Sequence, residues 1–278
     1  IGGAGIYYHL SYWGRPHDYL WLTTTQPGLI YNEMRTAYDH NARKLWIVNV
    51  HDPKVAGYQL ELFLDMAWDI NCVNESSIET HYLRWLCRQF GDEAGKLLFP
   101  AMKEYYKLCA QRRPEFMGWT QVELDKKKYN RGLSPIQDTE FSIHEISEYL
   151  GRYASISATV KKVEDIIPAR LKDAYFAAIL YPVLAADAHA RKLLLAQKAR
   201  QTGDAVAAEQ SLEAYKEIKT LTERYNNDLA GGKWRNLMSM NPRNLPVFGM
   251  PDTAYVHDSL NVSVVTDEYE YISRNANE

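Results

Sequence analysis

Two β-prone runs, IYYHLSY at residues 6–12 and LWIVNV at residues 45–50, fall within the first fifty residues with a helix-forming segment between them. That segment, from about Leu29 to His40, places Ile30, Met34, Ala37 and Tyr38 at i, i+4, i+7 and i+8. This spacing makes one buried stripe on a helix. Pro27 suits the first turn, where a missing N–H costs nothing. A strand, a helix and a strand in that order form a crossover, which joins parallel strands and not a hairpin. The chain therefore opens as an α/β structure.

The period of two then sorts the strand residues. Tyr7, His9 and Ser11 share one face, and Tyr8, Leu10 and Tyr12 the other. In the second run Trp46, Val48 and Val50 point one way, and Ile47, Asn49 and His51 the opposite way. An all-parallel sheet is covered on both faces, so an amide inside it is costly unless hydrogen-bonded. One reading makes Asn49 a structural residue bonded to the neighbouring strand. The other makes it part of a pocket floor. Three features favour the pocket. Asn49 lies near the carboxyl end of its strand, where parallel α/β folds build their sites. His51 and Asp52 follow it at once, and the adjacent strand offers Tyr7, His9 and Ser11 on a single face.

Composition narrows the partners. The 278 residues, enough for one large domain or two ordinary ones, carry a formal charge of −3. That is no footprint for nucleic acid or an acidic membrane surface. Twenty tyrosines and seven tryptophans suit core packing first, and sugar-ring stacking second. Three cysteines, Cys72, Cys87 and Cys109, are odd in number, widely spaced and without zinc spacing, so neither a metal site nor a disulfide framework is expected; no cofactor is expected either. No apolar run reaches transmembrane length. The chain opens on IGGAGIYYHL without an initiator Met, and reads as a piece of something longer, so missing targeting signals say nothing about location.

Beyond Asp69 the sequence turns helical. Ser76 and Glu79 have capping-box spacing before a helix with Ile78, Tyr82, Trp85, Leu86 and Phe90 on its buried side, and Gly91 is its expected stop. Another helix runs to about Arg113, with Pro100 as a candidate break. Residues 118–140 are polar and turn-rich, which places a domain boundary there. Ile143, Ile146, Leu150, Tyr153 and Ile156 recur at helical spacing, as do Ala208, Leu212, Tyr215, Ile218, Leu221 and Tyr225. Residues 169–200 are helical in composition, with Pro182 expected to kink or break them. These stripes read as a helical bundle. VSVVTDEYEYIS near the end reads as a strand without partners.

Several motifs carry nothing. GDEAGK is one residue short of a phosphate-binding loop and sits between helices; GGAG precedes a strand instead of following one. HEISE at His144 lacks the second His of a zinc site and reads as a solvated helix face, and DKKK at Asp125 as a soluble charge run. His17 and Asp18 suit a pocket mouth or a plain surface loop equally.

GGAGIYYHLSYWGRPHDYLWL, WIVNVHDPK, ELFLDMAWDI, RRPEFMGW, AYFAAILYPV and GGKWRNLM, in that order, resemble the glycoside hydrolase family 115 α-glucuronidases. The resemblance runs through nearly the whole chain and is densest in the first 120 residues. It implies late strands and helices of a (β/α)8-type barrel over residues 1–120, a helical bundle domain over 121–250, and a linker with the first strand of a β-sandwich over 251–278. It implies an inverting, metal-free enzyme, exported to the periplasm or secreted and often a homodimer. Such an enzyme removes (4-O-methyl-)glucuronic acid from glucuronoxylan. Carried over by motif, Tyr7, His9 and Tyr12 on the first strand, and Asn49 and Asp52 on the second, are implied to bind the uronic acid. Periodicity already selects Tyr7, His9 and Asn49, but places Tyr12 on the opposite face. The family often has Gly where this chain has His51, and an acidic residue near Gly57, so the loop after the strand is expected to differ in shape.

An inverting glycosidase needs a carboxylic acid at the leaving oxygen and a carboxylate that activates water across the ring. Asp52 is the one carboxylate here placed by motif, in a supporting role. The acid and base are expected on earlier strands, and the isolated chain is expected to be inactive. The rival reading is a non-catalytic helical module for carbohydrate binding or dimerisation. It explains the helical stripes equally well, but not the gathering of Asn49, His9 and Asp52 at one sheet end.

Overall fold

A computed structural model describes residues 3–11, 22–50, 53–114, 117–118, 137–241 and 246–254. Strand β1 (Ile6–His9), helix α1 (Pro27–Asp39) and strand β2 (Trp46–Asn49) form the expected crossover, and the two strands pair in parallel. Ile6 stands opposite Trp46, and His9 opposite Asn49. Pro27 opens α1, and Ile30 and Met34 are fully buried beneath it.

From α2 (Gly57–Trp68) onward the described chain is helical. Helices α3 (Ile78–Phe90) and α4 (Asp92–Gln111) pack as an antiparallel pair around Gly91. Gly91 ends one and starts the other at φ 92°, in the left-handed region that favours glycine. A Cβ on Gly95 would lie 2.6 Å from the Cys87 backbone nitrogen, so glycine sets how closely the pair approaches. The capping box expected at Ser76 and Glu79 does not form. Asn74 takes the turn instead, its carbonyl accepting from the backbone N–H groups of Ser76 and Ser77, both at 3.0 Å. Glu79 pairs with Lys103 on α4. Pro100 does not break α4, which continues through it.

The expected domain boundary falls largely on residues 119–136, outside the described residues. On either side of it the buried residues belong to one continuous cluster, with α4 packed along α5 (Ile143–Glu164). A capping box that the sequence reading missed starts α5. The Ser142 hydroxyl accepts from Glu145 N–H at 3.2 Å, and the Glu145 carboxylate accepts from Ser142 N–H at 2.8 Å. Ser142→Ala should cost about 1 kcal/mol, the usual worth of an N-cap, in a urea denaturation experiment. His144 is exposed beside Glu148, the solvated face its sequence suggested.

After α5 come a short α6 (Lys172–Tyr175), one π-helical stretch (Phe176–Leu180), and α7 (Tyr181–Thr202) without interruption. The helical conformation therefore runs through Pro182 without the expected break. A proline in an α-helix loses one bond and crowds the carbonyl four residues back; the wider π turn just before it relieves that crowding. Helix α7 is buried on nearly every side, and α8 (Ala205–Asn227) packs along it. The buried line of α8 is Ala207, Ser211, Ala214, Ile218, Leu221 and Tyr225. Its first half lies one residue from the expected Ala208, Leu212 and Tyr215, which are only half-buried. Small residues let the two backbones approach, and the Ser211 hydroxyl donates to the Lys192 carbonyl at 2.5 Å.

The polar groups inside α7 each reach another element. Asp187 accepts from Ser157 of α5 at 2.9 Å and from Arg191, which also holds Glu217 of α8. Gln197 bonds both backbone groups of Thr139. Lys192 donates to the carbonyls of Val247 at 2.6 Å and Gly249 at 3.3 Å. Most of the described tyrosines go into the core, as their number suggested. Tyr58, Tyr82, Trp85 and Tyr106 form one contact group, and Tyr149 and Tyr153 another. Buried phenols need partners: Tyr175 donates to the Val160 carbonyl at 2.7 Å, and Tyr106 accepts from Gln59 at 2.7 Å. Among the described residues no helix is long and apolar enough to cross a membrane. The proposed strand at VSVVTDEYEYIS lies outside the described residues.

Candidate functional site

The two faces of the β1–β2 pair differ. On one, Tyr8 stacks on Phe63 of α2 (6.0 Å between centroids, 11° between planes), and Trp46 meets the same ring at 5.7 Å. Burial there pushes the Tyr8 hydroxyl up to about 12, with Glu33 adding to the shift, so it stays a neutral packing group. Helices thus cover this face. The opposite face carries Tyr7, His9, Ile47 and Asn49, with Tyr7 57% and Ile47 45% exposed. The expectation that helices cover both faces is not met among the described residues. A sheet face opposite its helices, with polar residues at the carboxyl ends of parallel strands, has the position of an α/β binding site.

Three of the expected residues come together there. The Asn49 amide donates to the Tyr7 hydroxyl at 3.0 Å. This is a diagonal contact, because Tyr7 stands opposite Ile47 and His9 opposite Asn49. The Tyr7 and His9 rings meet edge to face, 4.9 Å apart at 77°. A phenol that accepts the amide hydrogen bond still has its own proton to donate. Asn49 keeps a second N–H and a carbonyl, and His9 brings a ring nitrogen pair. The cluster is a set of hydrogen-bonding groups around a flat ring, suited to hydroxyl and carboxylate oxygens. None of the three carries a carboxyl group for glycosidic acid–base work. Tyr12, His51 and Asp52, with His17 and Asp18, lie outside the described residues. Among the described residues no group of His, Cys, Asp or Glu is arranged to hold a metal ion.

The strand ends are held by residues that the sequence reading passed over. Leu10 N–H donates to the Asn49 carbonyl at 2.9 Å, extending the ladder past His9. The Thr25 hydroxyl donates to the Leu10 carbonyl at 2.9 Å, and the Thr23 hydroxyl to the Val55 carbonyl at 2.5 Å. Buried Gln59 donates to the Thr25 carbonyl at 3.3 Å. Three consecutive threonines before a helix-opening proline were the available signal. From the far end of the chain, Trp234 reaches Lys54, which follows β2, with the ammonium 4.6 Å from its ring; Lys233 flanks it at 5.1 Å. Ala230, Gly231 and Gly232 turn the chain there at φ 52°, 64° and 79°. GGKWRNLM, read only as a family motif, thus brings an indole and a cation beside the segment leaving β2.

Comparison with known proteins agrees with the motifs. Residues 1–116 match Glycosyl hydrolase family 115. No curated protein matches the chain. Among solved structures it is similar to a family GH115 4-O-methyl-α-glucuronidase with specificity for decorated arabinogalactans, at 43% identity and a TM-score of 0.82. That likeness covers 93% of this chain and 34% of the other, so the chain spans about a third of the length of the protein it matches. Six motifs in order, the family match over residues 1–116, and a shared structure along nearly the whole chain together support a fragment of a glycosyl hydrolase family 115 protein.

Proposed function

We propose that this chain supplies the uronic-acid-binding part of an inverting α-glucuronidase. In this reading β1 and β2 are late strands of a (β/α)8-type barrel, the helices from α5 onward form an accessory bundle, and the exposed sheet face lines the barrel interior. The observation that carries it is the Tyr7–Asn49–His9 cluster on the one sheet face that the helices leave open, at the carboxyl ends of the strands. Asn49 and Tyr7 hold sugar hydroxyls and the carboxylate, His9 adds a hydrogen bond, and Tyr12 and Asp52 complete the pocket rim. The catalytic acid and base belong to other strands. They would stand far enough apart to admit a water between carboxylate and anomeric carbon. Export and homodimerisation belong to the same reading.

The substrate is a polysaccharide bearing (4-O-methyl-)glucuronic acid. Glucuronoxylan is the first choice, and the specificity of the similar enzyme makes decorated arabinogalactan the second. The whole protein should be incubated with each polymer and released uronic acid measured by anion-exchange chromatography, with proton NMR reading the first anomer formed. Release as the inverted anomer supports the proposal. Release with retention overturns the mechanism, and no release from either polymer overturns the function. The 278-residue chain alone should release none.

A further inference from the structure

At the opposite end of β2 from Asn49 lies a second feature. A groove of about 410 Å³ opens between the residues leading into β2 and the end of α2, lined among others by Tyr38, Arg43, Lys44, Trp68, Asp69 and Asn71. Three residue steps along β2 separate Trp46, which lines the groove, from Asn49, roughly 10 Å at the usual strand rise. Trp68 is 93% exposed, the largest apolar side chain that the described surface leaves in water. An indole that stacks on nothing costs free energy to hydrate, and flat aromatic rings offer sugars an apolar face.

The groove around it is ordered. Arg43 lies 4.1 Å over the Tyr38 ring, and its Nε donates to the Tyr38 carbonyl at 2.8 Å. The guanidinium is thereby fixed with terminal N–H groups still to offer, the geometry that suits a carboxylate. Arg35 grips Asp39 through two bonds of 2.9 Å and reaches the Asn71 carbonyl at 3.3 Å. Asn71 N–H in turn donates to Asp69 at 2.9 Å. The Asn71 carbonyl is so engaged, and its NH₂ is left as the group to present. One indole platform, one fixed guanidinium, the Lys44 ammonium and an oriented amide therefore share one groove. Neutral sugar rings fit the indole, and acidic ones also use the cations.

We propose that this groove is a second saccharide-binding site, distinct from the Tyr7–His9–Asn49 face, which grips a uronic-acid-bearing polysaccharide chain. Trp68 stacks on a pyranose ring while Arg43 and Lys44 take a carboxylate. The choice of polymer rests on the function proposed above; the groove itself does not. Such a site would hold the enzyme on its polymer between cleavages and raise the local concentration of substrate.

The test is native gel electrophoresis of the whole protein through gels containing 4-O-methylglucuronoxylan or decorated arabinogalactan, with unsubstituted xylan as the neutral control. Wild type, W68A, R43A, N49A and the W68A/N49A and R43A/N49A double variants are compared, with circular dichroism to check folding. In both the wild-type and the N49A background, W68A should weaken the apparent affinity at least five-fold and R43A should weaken it only in the acidic gels. Retardation unchanged by W68A in the N49A background overturns the proposal. So does a change of molecular mass in W68A by light scattering, which would make the groove a contact between protein surfaces. A wild type that is retarded yet releases no uronic acid refutes the catalytic reading and leaves the groove standing.

Discussion

Replacing Asn49 by alanine in the whole protein should lower kcat/KM for uronic acid release about 100-fold or more while moving the melting temperature by no more than ~3 °C. A 100-fold loss corresponds to roughly 2.7 kcal/mol of transition-state stabilisation, the scale of a hydrogen bond to a charged group in a water-excluded site. The structural cost is smaller. Asn49 is half-buried and its bond to Tyr7 lies at an exposed face, so losing it costs about 1 kcal/mol at most. Tyr7→Phe provides the control: it removes the acceptor that orients the amide without removing the amide, and should give a milder loss. Urea denaturation and initial-rate kinetics on the same samples separate the readings. Lost stability with kept activity would make Asn49 a strand-pairing residue, and would favour a non-catalytic module.

The second large effect concerns Lys192. Its ammonium is almost completely buried in α7 and holds the carbonyls of Val247 and Gly249, fastening the segment that returns from α8. Burial pushes its pKa down to about 7 from 10.5. Between those values the unfolded chain binds a proton that the folded chain lacks. Stability therefore rises with pH from about 7 to 10.5, by as much as ~1.4 kcal/mol per pH unit. Two other sets of groups bound this window. Buried His189 is held well below 6.5 by burial and by Lys192, so acid below that value protonates the unfolded state and destabilises the fold. Buried tyrosines such as Tyr149, Tyr153 and Tyr181 are raised above 10, so stability falls once the unfolded phenols ionise. The Lys192 slope should therefore be read from pH 7 to 9.5. K192M keeps the volume and removes the titration. It should flatten that slope, so that the stability of the wild type relative to the variant rises between pH 7 and 9 by up to ~1.4 kcal/mol per pH unit. Urea unfolding at pH 7, 8 and 9 checks this, and a flat wild-type profile would refute it.

The crossover, the parallel pairing and the two-faced alternation of β1 and β2 were readable directly from the sequence. They depend on local periodicity and on the length of the connection, and both are written in consecutive residues. The same holds for α1, with its Pro27, and for Gly91 between α3 and α4. The grouping of Tyr7, His9 and Asn49 was legible because a parallel ladder brings alternate residues of two strands to one face.

What the sequence left undecided depended on neighbours. Periodicity marks a polar stripe but not whether a helix will cover it, so only the tertiary structure showed Tyr8 and Trp46 against Phe63 and the Asn49 face open. The buried line of α8 was misread in its first half because close packing on α7 selects small residues, and Ala207, Ser211 and Ala214 carry less hydrophobic signal than Leu212 and Tyr215. No side chain caps α3: Asn74 holds the turn ahead of it through the Ser76 and Ser77 N–H groups, a choice made by backbone geometry that residue spacing does not reveal. Trp234 beside Lys54, and Trp68 in its groove, are aromatic residues that local spacing alone would assign to a core. Residues distant in the chain decide the outcome for each: Trp234 is brought against the strand exit by the turn at Ala230–Gly232, and Trp68 is left in water because no described element packs over the end of α2. Local order follows from the spacing of consecutive side chains; exposure is fixed by what the rest of the fold places on top of them.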